Sequence, residues 1–471
     1  MNMTIKTRNL KNESRHLFMA NAFLMVFTGV LLWLVLPFVI PITGKMGVRN
    51  TLFLNFVSGM GSIYFMFLLE KYSVVISGLY EKNLINFLSI LYTFVIMCLV
   101  NALLFMSFER LIFDTVFSFT SFVLIVISDV LYEKHIKNPN KFKKPRLLIL
   151  ASDEKNFYRM KRIKYGVLNA YDSWYEDIDA MNREELTDFI NNNLVKYDAL
   201  CILDGLNDFE YNLAVQSSME MNKDLYIVPN IIDVGKTNSR LVRFDDVLTL
   251  YMPKNYISKI SFFIKRVVDI IISVFGLVVA FIPMVLIAAA IKLTSPGPVF
   301  YKQERLTKNK KPFDIYKFRT MIPDAEKLTG PKFAEKDDPR ITKVGKILRS
   351  CRLDELPQLI NILKGDMTLV GPRPERPVFV EEFGKEIKNY DYRFAVKAGL
   401  TSLSHVYGRY STYIHDRTYY DLFYITNYSL FLDFRIVLLT TKTMFMKSAA
   451  EGEDDFKQKT VSNTQKEVQP K

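Results

Sequence analysis

The sequence predicts a membrane protein in three parts: four N-terminal transmembrane helices, a Rossmann-like α/β module, and a mostly α C-terminal domain with a re-entrant membrane helix. Three observations predict this. Apolar residues make up 49% of 471, with 37 Phe and 25 Tyr, which is rich for a soluble chain. Apolar stretches of spanning length recur before residue 140. Strand-like and helix-like segments then alternate up to about residue 251, and a further long apolar helix opens a cation-rich region.

Residues 1–17 are polar and basic (Lys6, Arg8, Lys11, Arg15). No short apolar core with a small-residue cleavage site follows, so no removable signal peptide is expected. Apolar segments at 17–41, 51–69, 84–107 and 111–132 fill the region 1–140. Each is about long enough to cross a ~30 Å hydrocarbon core as a helix. Basic residues gather before the first segment and after the last (Lys134, Lys137, Lys141, Lys143, Lys144, Arg146), which places both ends in the cytoplasm.

Residues 141–255 read as the α/β module. Apolar strands are expected at 146–150, 198–203 and 224–229, with a helix over 183–195 whose start carries Asn182 and Glu185 as a capping box. The turn after the first strand, Ala151-Ser-Asp153-Glu154, has no glycine and two carboxylates, so it is a poor pyrophosphate cradle. A spacer or regulatory module fits better.

The third part spans residues 260–447, followed by a polar tail, 448–471, expected to be disordered. Its apolar helix, 267–291, would be ~37 Å long if straight, enough to cross. However, cations flank both ends: Lys259, Lys265 and Arg266 before, Lys292, Lys302 and Arg305 after. Pro283 lies inside the run, where proline removes a backbone hydrogen bond and kinks the helix. The helix is therefore expected to dip into the inner leaflet, bend near Ile282-Pro283, and return to the same side. That geometry keeps the following residues at headgroup level.

The net charge of +13 suits nucleic acid, anionic lipid or phosphorylated substrates, and the apolar spans favour the last two. Cys98, Cys201 and Cys351 are far apart, and only four His are present, so neither a disulfide framework nor a Cys-based zinc site is expected. The most informative stretch is 349–374. It sets Asp354 and Glu355 side by side between Arg349 and Arg352, and ends in Gly371-Pro-Arg373-Pro. A carboxylate that attacks, a second that holds a cation, and guanidinium groups for phosphate oxygens are what phosphoryl chemistry needs. The prolines around Arg373 limit the freedom lost on binding. Lys317 and Arg319, alternating with Tyr316 and Phe318, are further phosphate-binding candidates. Lys308, Lys310 and Lys311 read equally as a basic face on anionic lipid.

These motifs resemble the bacterial sugar transferase family of monotopic polyprenyl-phosphate phosphoglycosyltransferases. The resemblance covers about 260–447. It rests on Lys265-Arg266…Asp269, Ser295-Pro-Gly-Pro298…Lys302-Gln303-Glu-Arg305, Lys317-Phe-Arg319-Thr-Met321, Asp338-Pro-Arg340-Ile-Thr342, Leu353-Asp354-Glu355-Leu-Pro357-Gln358 and Gly365-Asp366-Met…Gly371-Pro-Arg373-Pro374. The N-terminal spans and α/β module resemble the long form that primes exopolysaccharide, capsule or O-antigen assembly. The resemblance implies transfer of a sugar-1-phosphate from a UDP-sugar, such as a glucose or galactose donor, to undecaprenyl phosphate, with release of UMP. It implies Asp354 as nucleophile through a covalent phosphosugar intermediate, Glu355 as a Mg²⁺ ligand, and Lys317, Arg319, Arg352, Arg373 and Arg409 as phosphate or substrate contacts. It implies Pro283 as the kink of the dipping helix. It also implies a bacterial plasma-membrane location with the catalytic domain on the cytoplasmic face, and no nucleic-acid partner. The oligomeric state stays open, a homodimer included.

Two departures stand out. Ile282 precedes Pro283 where a Ser is frequent. The run 397–409, Lys-Ala-Gly-Leu-Thr-Ser-Leu-Ser-His-Val-Tyr-Gly-Arg, replaces a Pro-Gly-Ile-Thr-Gly type segment thought to bear on the donor sugar. Alternative readings are a non-catalytic scaffold or regulator of polysaccharide assembly, and a glycosyltransferase releasing UDP. The intact Asp354-Glu355 doublet argues against the first. The lack of spaced Asp motifs in 145–251 argues against the second.

Overall fold

A computed structural model describes residues 17–32, 48–71, 79–105, 108–132, 134, 145–151, 172–178, 181–203, 206–229, 231–244, 247–252, 258–323, 338–387, 389–408 and 414–445. The chain divides into two compact units, Met1–Pro229 and Asn230–Lys471.

In the first unit, apolar helices α1 (Leu17–Leu32), α2 (Val48–Leu68), α3 (Leu79–Val100) and α4 (Phe108–Leu131) come first. The segments Leu79–Leu103 and Arg110–Leu131 are long and apolar enough to cross a membrane. Within the described residues the two earlier apolar stretches, Leu17–Leu32 and Phe53–Leu68, are shorter. Outward-facing Phe and Leu side chains such as Phe56, Phe67, Leu99 and Phe119 suit an apolar surround. A fully buried ion pair, Lys71 Nζ to Asp129 at 2.9 Å, joins the end of α2 to α4, and Asn86 of α3 donates to the same carboxylate at 2.8 Å.

The α/β module follows in the same unit: β1 (Arg146–Ala151), β2 (Asp172–Asp177), α5 (Arg183–Asn193), β3 (Ala199–Ile202), α6 (Asp208–Glu220) and β4 (Asp224–Ile227). The strands form one parallel sheet in the order β2-β1-β3-β4. Leu147 and Ile149 pack on one face of the sheet, Leu148 and Leu150 on the other. Burial of both faces explains why β1 is an unbroken apolar run. Asn182 and Glu185 form the expected capping box at α5. The same pattern, Asn207 to Glu210, caps α6, a helix not anticipated from the sequence. Strand β2, Asp-Ser-Trp-Tyr-Glu-Asp, was also not anticipated, because its charged ends hide the pattern. The Asp153-Glu154 turn lies outside the described residues.

The expected module, 141–255, runs across the division between the two compact units at Pro229 and Asn230. Helix α7 (Ile231–Lys236) and hairpin β5–β6 (Arg240–Phe244, Val247–Tyr251) belong to the second unit. The cause is local: Asn238 donates to the Thr426 carbonyl at 2.7 Å, and Asn427 to Thr237 Oγ1 at 2.6 Å.

Helix α8 (Lys259–Thr294) is continuous for 36 residues, with Ser258 as N-cap and Pro283 inside it. Lys265, Asp269, Ser273, Ala280 and Ile291 are buried at helical spacing and form its inward stripe. The outer face, including Val274, Phe275, Val278, Phe281 and Ile282, is bare. Antiparallel strands β7 (Phe300–Leu306) and β8 (Pro312–Phe318) follow, then α9 (Lys343–Ser350) and α10 (Gln358–Lys364). Next come β9 (Thr368–Val370), α11 (Pro377–Glu386) and β10 (Gly399–Thr401), the last parallel to β9. Helices α12 (Leu403–Tyr407), α13 (Ile414–Thr426) and α14 (Leu430–Met444) complete the unit. Its core joins Ile315, Leu359, Ile362, Met367, Val370, Leu403, Tyr424 and Ile436. The unit is thus mostly helical, as expected, with three small two-stranded sheets, β5–β6, β7–β8 and β9–β10, among the described residues.

Candidate active site

Asp354 and Glu355 sit in a 3₁₀ turn, Leu353–Glu355, between α9 and α10. Pro357 is the N-cap of α10, and the doublet precedes it. Arg352, just before the turn, has φ +55°, a left-handed conformation that costs a non-glycine residue free energy. Without that twist the chain could not turn from α9 into the doublet.

The two carboxylates live in opposite environments. Glu355 Oε1 accepts from Lys317 Nζ at 2.8 Å and from Arg373 Nη2 at 3.0 Å. Asp354 makes no hydrogen bond or ion pair with any described residue, although it is only 8% exposed. Burial, then the neighbouring Glu355 charge, pushes the Asp354 carboxyl up, against the pull of Lys317, Arg349 and Arg373. Burial would raise Glu355 too, but Arg373, Lys317 and His405 outweigh it and hold Glu355 well below the usual carboxylate range. Adjacent carboxyls with divergent affinities for protons are the arrangement in which two acids take two roles.

Several residues set this geometry. Lys317 is on β8, on the same strand face as buried Phe313 and Ile315, so the apolar face lies with Lys317 rather than with Tyr316. Tyr316 instead carries the Lys364 ammonium 4.5 Å from its ring. Asn361, fully buried, accepts from the Tyr316 amide at 2.9 Å and donates to the Asp314 carbonyl at 2.7 Å, locking α10 to β8. That lock brings Lys317 to Glu355. The Arg373 loop is held by Gly371 N–H to the Thr401 carbonyl at 3.0 Å and Gly399 N–H to the Pro372 carbonyl at 2.9 Å. A Cβ at Gly399 would lie 2.1 Å from the Gly371 nitrogen, so this crossing requires glycine.

Of the expected phosphate contacts, Lys317 and Arg373 converge on the doublet. Arg352 flanks it, within the electrostatic reach of His405. Arg319 is engaged elsewhere. It is 7% exposed and donates to the Pro296 carbonyl at 2.5 Å and the Ser295 carbonyl at 2.9 Å. It braces the turn after α8, where Gly297, at φ +111°, would place a Cβ 2.2 Å from Arg319 Nη1. Arg409 lies outside the described residues. Pro283 lies within α8, next to the exposed Phe281 and Ile282 and to Met284, which packs on the Ile291–Phe318–Leu348 cluster.

His405 was missed as a site residue. Burial, then Arg373 and Arg352, keep its imidazole neutral, well below the usual histidine range, and its Nδ1 is buried with no partner among the described residues. Its place in the run that departs from the family pattern was the available signal. Asn361 left no signal, because an Asn inside an apolar helix reads as ordinary.

The two carboxylates could admit a magnesium ion that draws most of its ligands from water and phosphate oxygens. Glu355 Oε1 is committed to two cations, which leaves Oε2 and Asp354. Among the described residues no cluster of three metal-ligating side chains exists, so a closed protein cage does not fit.

Residues 260–447 match the model of the family described as bacterial sugar transferase. The chain is 41% identical over 221 residues to a UDP-N-acetylgalactosamine-undecaprenyl-phosphate N-acetylgalactosaminephosphotransferase of Aeromonas hydrophila, covering 46% of this chain and 52% of that protein. It is 32% identical over 344 residues to galactosyl transferase CpsE of Streptococcus agalactiae, covering 70% and 73%. It is 35% identical over 230 residues to the UDP-glucose:undecaprenyl-phosphate glucose-1-phosphate transferase of Escherichia coli, covering 48% and 49%. The matches to the Aeromonas and Escherichia proteins thus span about half the length of each.

Proposed function

The chain belongs to the bacterial sugar transferase family, and from that premise we propose that it transfers a hexose- or N-acetylhexosamine-1-phosphate from a UDP-sugar to undecaprenyl phosphate, releasing UMP. The observation that carries the reading is Asp354: a nearly buried carboxylate with no partner among the described residues, beside a Glu355 that two cations hold ionised.

An Asp354 carboxylate oxygen attacks the phosphorus that bears the sugar. The P–O bond to the bridging oxygen breaks, and UMP leaves with that electron pair. The product on the enzyme is an aspartyl phosphosugar. A phosphate oxygen of the lipid acceptor then attacks the same phosphorus, forming the lipid diphosphate sugar and restoring the carboxylate. Burial favours the attack, because a weakly solvated carboxylate needs little desolvation. Lys317, Arg373 and Arg352 steady the charge on the phosphate oxygens. Bound magnesium, held by Glu355 and the diphosphate, would supply Lewis-acid charge neutralisation.

Placement at the membrane fits this chemistry. The N-terminal part of α8 is tied to the catalytic unit by Lys265 Nζ to Asp433 at 2.7 Å and by Arg266 to the Ile362 carbonyl at 2.6 Å. Its C-terminal part packs through Ile291 on Phe318 and Leu348 of the same unit. A helix bound at both ends to one charged domain does not carry those ends to opposite sides. We therefore read α8 as lying in one leaflet with its bare face toward lipid, and the catalytic unit as cytoplasmic, on a multi-pass plasma-membrane protein.

The deciding experiment supplies membranes with UDP-N-acetylgalactosamine, UDP-galactose, UDP-glucose and UDP-N-acetylglucosamine and identifies nucleotide and lipid products. UMP with a lipid-diphosphate sugar supports the reading. UDP with a lipid-monophosphate sugar, or no product from any donor, overturns it.

A further inference from the structure

Beside the doublet lies a second set of buried charges that the reaction above does not use. Arg393, in the 3₁₀ turn Tyr390–Ala395, is 4% exposed, and Asp421, in α13, is 2% exposed. Arg393 Nη2 donates to Asp421 Oδ2 at 2.8 Å and to the Arg373 carbonyl oxygen at 2.9 Å. Its Nη1 donates to the Tyr390 hydroxyl. The other Asp421 oxygen, Oδ1, accepts from Ser404 Oγ at 3.3 Å, and Ser404 adjoins His405 on α12. One ion pair therefore grips the loop that carries Arg373 and the short helix that carries His405.

We propose that Arg393 and Asp421 are positioning residues: a buried strut that fixes the Arg373 loop and the Ser404–His405 turn relative to each other, so that both meet one phosphorylated, nucleotide-linked substrate. The proposal deepens the functional reading above and, as to the substrate, rests on it.

The chemistry of the pair favours this role over a general stabilising one. A buried ion pair seldom adds net stability, because desolvation offsets most of its attraction. What it adds is direction. The rigid, planar guanidinium can serve a carboxylate, a carbonyl and a hydroxyl at once, which a lysine ammonium on a flexible stem cannot do in fixed geometry. The contact to Arg373 is through the main chain, while its side chain meets Glu355. His405, on the other arm, sits in the field of Arg373, Arg352, Glu355 and Lys317 and has an unpartnered buried nitrogen to offer a ligand. Misplacing either group by ~1 Å is enough to weaken a phosphoryl-transfer site 10²-fold.

Asp421 faces Arg393, Tyr390, Glu375 and Ser404. Burial pushes its carboxyl up to about 6, with Arg393 pulling the other way and Glu375 adding to the rise. The strut is accordingly charged above that pH and loses its carboxylate charge below it.

The test uses the full chain in lipid nanodiscs, comparing Asp421→Asn, Arg393→Lys and the milder Ser404→Ala with wild type. Hydrogen exchange is read on the peptides spanning 371–376 and 402–407, with 430–444 as reference. Faster exchange, by roughly tenfold, is expected in both segments for Asp421→Asn and Arg393→Lys. For Ser404→Ala it is expected in 402–407 alone. Unchanged exchange in 371–376 for both charge variants overturns the strut, as does unchanged exchange in 402–407 for Ser404→Ala. Should the charge variants not fold, the Ser404→Ala result decides alone. Where donor turnover is measurable, the folded charge variants should raise the donor KM about tenfold more than they lower kcat, and Asp421→Asn should flatten the fall in donor affinity near pH 6. A wild-type pH profile in Asp421→Asn also overturns the proposal. A wild type that turns over no donor, with the exchange pattern as expected, sinks the functional reading and leaves the strut standing.

Discussion

Arg373 Nη2 meets Glu355 Oε1 at 3.0 Å, from a loop reaching across to the turn before α10. The contact pre-sets a cation beside the doublet before any ligand arrives. Charge-assisted bonds of this kind depend on a planar donor, so Arg373→Lys keeps the charge and loses the geometry. We expect kcat/KM for the donor to fall roughly 10–100-fold, about 1.5–3 kcal/mol of transition-state binding. Steady-state kinetics checks this; a loss under twofold would remove Arg373 from the site.

The doublet makes opposite predictions for its members in the absence of turnover. Asp354 has a carboxyl pushed above its ordinary 3.8, chiefly by burial. As pH rises from 3.8 through the folded value, the unfolded chain releases a proton that the folded chain holds, so stability falls across that window. Above the folded value the cost is complete, and Asp354→Asn relieves it. Glu355 is held below its ordinary 4.5, so it contributes stability that is full above 4.5 and lost as pH falls through the folded value. At pH 7, Asp354→Asn should raise the melting temperature while abolishing turnover, and Glu355→Gln should lower it, each at ~2–4 °C per kcal/mol. Thermal unfolding of both variants in detergent measures it. Equal shifts of the same sign would show that the two environments are not opposed.

The same inequality governs rate. Attack requires ionised Asp354, so the acid limb of kcat/KM should lie above pH 3.8, the ordinary value for the carboxyl. Pre-steady-state release of UMP across a pH series reads the limb directly. A limb at or below 3.8 would contradict the burial argument.

Much of this site was legible in the residues and some was not. Asp354, Glu355, Lys317 and Arg373 lie in short, dense motifs, and each of those motifs places its key residue locally. Arg319 misled because strand alternation says which side of a strand a residue takes, not what lies opposite. The carbonyls of Ser295 and Pro296 come from the turn after α8, 24 and 23 residues earlier. Arg393 and Asp421 could not be paired from the sequence, since an Arg and an Asp on separate elements become a pair only through tertiary packing. In the α/β module, β1 and the Asn182 cap were readable because apolar runs and capping boxes are local signals. The contact of Asn238 with Thr426 was not readable, because composition changes smoothly there and the two residues are 188 apart in the chain.

Metal dependence follows from the oxygen count. With Glu355 Oε1 committed to Lys317 and Arg373, a divalent ion has at most Oε2, Asp354 and the substrate's own oxygens. Affinity for the free protein should be weak, and affinity in the presence of donor much stronger. Calorimetric titration of magnesium into Asp354→Asn, with and without UDP-sugar, separates the two. Full activity after chelation with EDTA would remove the metal role from Glu355.

The last prediction concerns α8. Its inward stripe runs from Lys265 to Ile291, and Lys265, Asp269 and Ile291 are tied to the catalytic unit through Asp433, Thr368 and Phe318. Crossing a bilayer would strip Lys265 from Asp433, leaving a carboxylate already pushed up by burial without its cation. Cysteines placed at 258 and 300 in intact cells should therefore both resist a membrane-impermeant maleimide and both react once the inner face is opened. Pro283→Ala should leave the packing stripe intact but straighten the bare face, because the residue has no buried contact to lose and regains a backbone donor. Reaction of one cysteine from outside and the other only from inside would mean that α8 spans, and the single-leaflet placement of the active site would fall with it.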